Sequence, residues 1–123
     1  MTDITDFTST FFSLSQTGDT VVLCLSRPQL TEEDNLEQFD QDVTQLIELH
    51  GVRKLVINLE RLAYLTSHAI GKFIAFHRRL QRVDGSLAFC SAGDEVRQIF
   101  ETAHLWTYFN IATSPDEAMT LIA

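Results

Sequence analysis

Apolar runs separated by turn residues predict five strands along the chain. Residues 11–16 alternate between apolar and polar side chains, as a half-exposed strand does, and the almost wholly apolar residues 21–25 follow after turn residues 17–19. These two strands are expected to form a hairpin. Residues 55–59 are another nearly unbroken apolar run, typical of a sheet that is covered on both faces. The other predicted strands are residues 87–90 and residues 106–111.

Apolar positions at helical spacing predict four helices. The first begins after an N-capping Thr31 and reaches about residue 49, and the second covers residues 68–82. A third opens at residues 91–94, and a capping box with Ser114 as the N-cap starts a fourth that ends near residue 121. The element order β-β-α-β-α-β-α-β-α implies right-handed crossovers between parallel strands. The predicted fold class is α/β: one small domain with a mixed, mainly parallel sheet and helices around it.

Length and charge narrow the classes of function. The 123 residues fit one domain, and we expect residues 1–9 to be a flexible tail and residues 10–123 the domain. A net charge of −8 argues against nucleic acid and against an anionic membrane surface, since both need clustered Lys and Arg. No apolar run approaches the ~20 residues of a membrane span. Cys24 and Cys90 fall in predicted strands as reduced core thiols, which fits a cytoplasmic location.

Residues 55–71 are the most informative segment of the chain. A buried strand leads through a short loop to Thr66 and Ser67, which are good N-caps for the helix that follows. The segment therefore holds a hydroxyl group near the positive end of a helix, just past the carboxyl end of a central strand. Open α/β sheets commonly carry their functional surface at that edge.

This segment resembles the signature of the STAS domain family, named after sulphate transporters and anti-sigma-factor antagonists. In that family a strand of the type V-V-L-D-L leads to D-S-S-G-L-G at the start of a helix. Here Val56-Ile-Asn-Leu-Glu leads through Tyr64-Leu to Thr66-Ser-His-Ala-Ile-Gly, and the downstream order of elements matches to about residue 122. The resemblance implies a STAS-like fold and a non-enzymatic interaction module of bacterial signalling, similar to an anti-sigma-factor antagonist.

The resemblance also implies a partner and a contact surface. Unmodified family members bind a serine/threonine kinase-like anti-sigma factor and so release the sigma factor, in a partner-switching pathway that regulates transcription. No cofactor is implied, and a homodimer is left open. The expected contact lies in the segment that ends at Gly71 and in the first turns of the helix. Its expected partner-binding residues are Tyr64, Thr66, Ser67, His68, Ala69, Gly71 and Lys72.

The match departs from the family at the phosphate acceptor, which is the second serine of D-S-S-G. Position by position, Thr66 stands for the aspartate, Ser67 for the first serine, His68 for the acceptor and Ala69 for the glycine. A serine kinase cannot use position 68. Either Ser67 or Thr66 is the phosphorylated residue, or the switch has been lost while the binding surface persists. Plain N-capping explains both hydroxyl groups on sequence physics alone, whereas a phosphate there would block a complementary partner by its charge.

Two other functions stay open on the sequence. One is a ligand-sensing or scaffold protein of the same fold, in a signalling assembly without phosphorylation switching. The other is a small enzyme, although the sequence has no nucleophile elbow, no glycine-rich phosphate loop and no metal-ligand pair. His77 is expected to be a partly buried histidine with its hydrogen bonds satisfied.

Charge is distributed unevenly between the first two helices. Residues 31–49 contain seven acidic residues and no Lys or Arg, whereas residues 67–82 contain Lys72 and three arginines. Two solvated helix faces are the commoner explanation of such a pattern. The functional alternative is a polarised surface that steers a partner.

Overall fold

The computed structural model describes residue 4 and residues 7–123, and within them it contains two sheets and four α-helices. The strands are β1 (Phe12–Thr17), β2 (Thr20–Leu25), β3 (Gln29–Leu30), β4 (Lys54–Asn58), β5 (Tyr64–Leu65), β6 (Ser86–Cys90) and β7 (Asn110–Ala112). The α-helices are α1 (Leu36–Glu48), α2 (Ser67–Arg82), α3 (Asp94–Thr102) and α4 (Pro115–Leu121).

The main sheet has the order β1-β2-β4-β6-β7 and is mixed but mainly parallel. The β1–β2 hairpin is antiparallel, and the other three pairs are parallel, which confirms the predicted fold class. Because β4 and β6 are neighbours, the helices that follow them, α2 and α3, begin side by side at the carboxyl edge of the sheet.

Both faces of the main sheet are covered. On one face, five fully buried phenylalanines join α1, α2 and α3 to β6; they are Phe39, Phe73, Phe76, Phe89 and Phe100. On the other face, Ala118 of α4 packs with Val56 and Ala88. Leu55 and Ile57 belong to the first cluster and Val56 to the second, so β4 is buried on both sides. This explains its unbroken apolar run.

A second, two-stranded parallel sheet, which the apolar pattern does not predict, pairs β3 with β5. Its register places Gln29 opposite Tyr64 and Leu30 opposite Leu65. Strands of two residues carry no periodicity that a sequence pattern can register. This small sheet matters because it holds the residues immediately before α2.

The predicted start of the first helix at Thr31 is wrong. Thr31 caps a separate 3-10 turn, Glu32–Asp34, and the carboxylate of Asp34 accepts from the backbone N–H of Thr31 at 2.8 Å. Asn35 then takes a left-handed backbone with φ of 52°, which no continuous helix allows. The Asn35 side chain caps α1 instead, accepting from the N–H of Gln38.

The predicted last strand, residues 106–111, is also misplaced. β7 comprises only Asn110–Ala112, and Phe109 still donates its N–H to the carbonyl of Leu105 at 3.1 Å in a turn. The start of α4 is confirmed, since the Ser114 hydroxyl accepts from the N–H of Glu117. The Glu117 carboxylate reaches Thr113 rather than the N–H of Ser114, so the capping box is shifted by one residue.

Gly85 ends the connection between α2 and β6 at a point where no side chain fits. A Cβ atom there would lie 2.5 Å from the carbonyl oxygen of Arg53. The N–H of Gly85 donates to the carbonyl of Leu80 at 2.7 Å, and Asp84 before it has a φ of 59°. This turn confirms the predicted stop and fixes the end of α2 against the sheet.

The predicted flexible tail, residues 1–9, is only partly described. Phe7 stacks on Phe12 with ring centroids 6.0 Å apart, and the Ser9 hydroxyl donates to Asp42 at 2.7 Å. Residues 1–3 and 5–6 lie outside the described residues. The flexibility of the tail and the domain boundary at residue 10 stay predictions.

His77 is buried on the core side of α2, but its hydrogen bonding differs from the expectation. Its ring lies against Tyr108 and Phe109, with centroids 5.1 and 5.5 Å away, and the residue is 7% exposed. Its Nδ1 atom has no hydrogen-bond partner among the described residues. Burial lowers the pKa of the imidazole below the usual 6.5, so His77 is neutral near neutral pH.

We expect His77→Phe to raise the free energy of unfolding by about 1 kcal/mol at neutral pH, because it removes a buried unpaired nitrogen and keeps the ring contacts. As pH falls below 6.5, the unfolded chain takes up a proton before the buried imidazole does, so the wild type loses stability. The variant should lose less over the same range. Urea unfolding at about pH 7.5 and about pH 5 checks both effects.

His104→Asn is the matched control, because it removes an exposed histidine and keeps a residue that tolerates the φ of 60° at that position. This control should retain the acid dependence of the wild type. A large loss of stability in His77→Phe at neutral pH would show that the imidazole nitrogens make a hydrogen bond that matters.

Candidate functional site

The segment between β4 and α2 is held in place by backbone hydrogen bonds. Leu59 donates its N–H to the carbonyl of Cys90 at 2.9 Å. Ala63 and Tyr64 both donate to the carbonyl of Pro28, and Thr66 donates to that of Leu30. The residues that open α2 are therefore fixed by β6 on one side and by the β3 segment on the other.

The two adjacent hydroxyl groups at the start of α2 have different environments. Thr66 has the backbone of an N-cap, but its side chain makes no capping hydrogen bond, and its oxygen is buried without a partner among the described residues. Ser67 is the first residue of α2 and is exposed. The prediction that these side chains cap the helix is therefore wrong for Thr66, and Ser67 follows the N-cap position instead of occupying it. Of the two hydroxyl groups, the one on Ser67 belongs to an exposed residue.

The other predicted partner-binding residues separate into exposed and buried ones. Tyr64 is 50% exposed, and His68 is exposed, with its Nε2 atom 3.9 Å from the carboxylate of Glu37. Gly71 is exposed and has open space around the position of a Cβ atom. Ala69 is fully buried in the core, so its side chain does not face a partner.

Lys72 bridges α1 and α2. Its ammonium group donates to Glu37 at 2.8 Å and to Asp40 at 2.9 Å, and its side chain is only 14% exposed. Arg79 lies 3.7 Å from the same Asp40 and donates to the Thr44 hydroxyl. The acidic and basic residues that the sequence placed on two helices are thus partly paired with each other, and neither solvated faces nor a free polarised surface describes Lys72 and Arg79.

The ion pairs shift two pKa values in opposite directions. Burial alone would raise the pKa of Asp40, but the hydrogen bonds from Lys72 and Thr44, with the nearby positive charges, lower it below 3.8. The hydrogen bond to Glu37 raises the pKa of Lys72 above 10.5, against the opposing effect of burial. Both groups therefore stay charged at neutral pH and hold α1 against α2.

A groove of about 740 Å³ lies between the start of α2 and one side of α3. Its first wall consists of Tyr64, Leu65, Thr66, Ser67 and Ile70, with Glu32 at the rim. Its second wall consists of Gln98, Ile99, Thr102 and Ala103, with Glu95 at the rim. The second wall is not among the residues predicted from the sequence because it lies about thirty residues downstream. The predicted order of strands could have placed α3 beside α2, since helices that follow neighbouring parallel strands begin at the same edge of the sheet.

Other chemistry has little support among the described residues. No group of three or more His, Cys, Asp or Glu side chains within residues 4 and 7–123 is placed to hold a metal ion. Cys24 and Cys90 are free thiols, and burial raises the pKa of Cys90, which disfavours the reactive thiolate. No helix in the same part of the chain has the length and apolarity needed to span a membrane.

The family to which this chain belongs follows from its match to a known family model. A family model described as the STAS domain matches residues 12–118, which is most of the chain. The chain belongs to the STAS domain family. The resemblance drawn from residues 55–71 is thereby confirmed, and the groove lies at the end of this STAS domain where that segment enters α2.

Individual relatives of this STAS domain include anti-sigma factor antagonists. BtrV of Bordetella bronchiseptica, a proposed anti-sigma factor antagonist, is 29% identical over 84 residues, which cover 68% of this chain and 72% of BtrV. The crystal structure of a proposed anti-sigma factor antagonist from Thermotoga maritima has a TM-score of 0.83 at 20% identity, covering 92% of this chain and 95% of that one.

The Bacillus cell fate determinant SpoIIAA in its phosphorylated form is a further structural neighbour. It has a TM-score of 0.68 at 25% identity, covering 91% of this chain and 99% of that one. The chain is therefore an anti-sigma-factor-antagonist-like STAS domain, and such relatives are regulatory proteins whose names imply a protein partner.

Proposed function

We propose that this STAS domain binds a serine/threonine kinase-fold anti-sigma factor and so releases a sigma factor, as a non-enzymatic cytoplasmic regulator. The observation that carries the proposal is the exposed Ser67, which opens α2 on the wall of a groove at the carboxyl edge of the sheet. Tyr64, His68 and Gly71 are exposed beside it. The names of the relatives support an anti-sigma factor as the class of partner.

Ser67 is the residue that we propose for phosphorylation in a form of this protein whose partner binding is controlled by a kinase. Thr66 is a poor substrate because its hydroxyl oxygen is buried, and the residue at the usual acceptor position is His68. Ser67 is exposed and makes no hydrogen bond within the described residues that its modification would break. Its place in the first turn of α2 is also favourable to an added anion.

We expect Ser67→Glu to weaken binding to the anti-sigma factor by about tenfold or more, because the longer side chain enters the groove where the partner docks. The fold should survive, since Ser67 is exposed. Isothermal titration calorimetry measures the affinity, and circular dichroism checks the fold. Ser67→Gln has the same length without the charge and separates the effect of volume from that of charge. Unchanged affinity in both variants would place the interface elsewhere.

Affinity capture from the native lysate, followed by mass spectrometry, tests the proposed partner. We expect a kinase-fold anti-sigma factor, whose direct binding is then measured with both proteins purified. Recovery of other STAS proteins alone, or failure of the purified pair to bind, would overturn the proposal.

A second candidate function is ligand sensing within a signalling assembly, and the size of the groove favours it. A volume of about 740 Å³ lies within the range of about 300–1,000 Å³ that small-molecule sites occupy. Native mass spectrometry of the freshly purified protein tests this function. A bound small molecule would support sensing, and a mass equal to that of the bare chain would count against it.

A further inference from the structure

The groove between α2 and α3 has one sign of charge at its rim, and this identifies the chemistry of what binds there. We infer that the segment of the partner that docks in this groove presents an apolar side chain flanked by Lys or Arg. The inference rests on the proposed function, because it concerns the partner-binding surface of the same site. It adds α3 to that surface and specifies the charge of the partner.

Both walls of the groove carry apolar side chains. Leu65 and Ile70 are buried, Ile99 is half-buried, and Tyr64 leaves half of its surface exposed. A half-exposed aromatic ring beside aliphatic side chains is a typical anchor position of protein interfaces. An apolar side chain from the partner would remove this surface from water.

The rim of the groove is acidic. Glu32 and Glu95 are the charged residues among its described lining, and no Lys or Arg of the described chain lines it. Both carboxylates are exposed, and neither has an ion-pair partner within residues 4 and 7–123. Lys72, the cation on the neighbouring turn of α2, is already engaged by Glu37 and Asp40. The negative charge at the rim is therefore left to be matched from outside the domain.

The acidic rim changes how a phosphate on Ser67 would act. Ser67 lines the same groove as Glu32 and Glu95, so a phosphate there would make an acidic rim more acidic. Such a change does not repel a cationic segment by charge. Release of the partner would instead come from the volume of the phosphate, which would occupy the part of the groove next to Ser67 that the docked segment needs. Ser67→Gln should then weaken binding at least as much as Ser67→Glu.

The test removes the two rim charges without changing side-chain length, in the double variant Glu32→Gln with Glu95→Gln. The matched control is Glu48→Gln with Asp116→Asn, which removes the same net charge from exposed positions on α1 and α4 outside the groove. We expect the groove variant to bind the captured anti-sigma factor about fivefold more weakly, with a smaller dependence on salt, and the control to bind like the wild type. Wild-type affinity in the groove variant, or equal loss in both variants, would overturn the inference.

A second arm keeps the inference testable if the proposed partner is wrong. The probe is a helical peptide with leucines flanked by lysines, and its counterpart has glutamates in place of the lysines. We expect the lysine peptide to shift the amide NMR signals of Tyr64, Gln98 and Thr102, and the glutamate peptide to leave them unchanged. No shift with the lysine peptide, or equal shifts with both, would overturn the cationic groove. Absence of binding between the wild type and any kinase-fold anti-sigma factor would overturn the proposed function alone.

Discussion

Phe73→Ala is expected to lower the free energy of unfolding by about 3–5 kcal/mol, the largest effect of any substitution considered for this domain. Phe73 is fully buried at the centre of the aromatic cluster. Its ring lies 5.1 Å from that of Phe89, 6.2 Å from Phe39 and 6.4 Å from Phe100, so it joins α2 to α1, α3 and the sheet. Urea unfolding followed by circular dichroism measures the loss.

Leu49→Ala is the control for Phe73→Ala, because Leu49 is 75% exposed and buries little surface on folding. It should change stability by no more than about 0.5 kcal/mol. The loss at Phe73 also bears on the site, since Phe73 lies on the same helix as Ser67 and packs against the helix that forms the other wall of the groove. A loss below about 1 kcal/mol would mean that the neighbouring rings collapse into the space and that the cluster is less rigid than its contacts indicate.

The second large effect is expected from Asp40→Ala, at about 2 kcal/mol of lost stability near neutral pH. The change leaves Lys72 with Glu37 alone and removes the carboxylate that faces Arg79 and accepts from Thr44. Both Asp40 and Lys72 are largely buried, at 18% and 14% side-chain exposure, so water replaces the lost partner poorly. Thermal unfolding of the variant and of Glu48→Gln, on the same helix without an ion pair in the described residues, measures the difference.

Acid should abolish the contribution of Asp40. Because its folded pKa is lowered below 3.8, its stabilisation is present above that value and is lost as pH falls through the lowered folded pKa. The difference in unfolding free energy between the wild type and the isosteric Asp40→Asn should therefore be full near neutral pH and shrink only below about pH 4. A difference that does not change with pH would assign the effect to packing rather than to charge.

Most of the fold could be predicted from the sequence because the apolar pattern is long and regular in the buried helices and strands. β4 and α2 show this best, since the strand is buried on both faces and the helix places Ile70, Phe73 and Leu80 on one side. The errors fall where a single backbone angle or a tertiary contact decides. Asn35 divides one predicted helix in two by its positive φ, and β3 and β5 exist only because they pair with each other.

The candidate site could be located from the sequence, but the roles of its side chains could not. From the sequence, Thr66 and Ser67 were equally good candidates for phosphorylation. The structure distinguishes them because the hydroxyl oxygen of Thr66 is buried and Ser67 is exposed. Lys72 looked free to meet a partner, whereas α1 supplies carboxylates that engage it across more than thirty residues of chain. Such pairings depend on how helices pack, which the local pattern does not encode.

The helices that form the two walls of the groove use different residues for contacting a partner and for stabilising the fold. On α2, Ser67 lines the groove and Phe73 is buried in the core. On α3, Gln98 lines the groove and Phe100 is buried in the core. Residues a few positions apart on one helix thus answer to different selective pressures. The wall residues can drift or be exchanged after gene duplication while β4 and β6 keep the spacing of the walls constant. A duplicated copy of this domain can therefore acquire a new partner through substitutions on its surface alone, and every variant along the way can still fold.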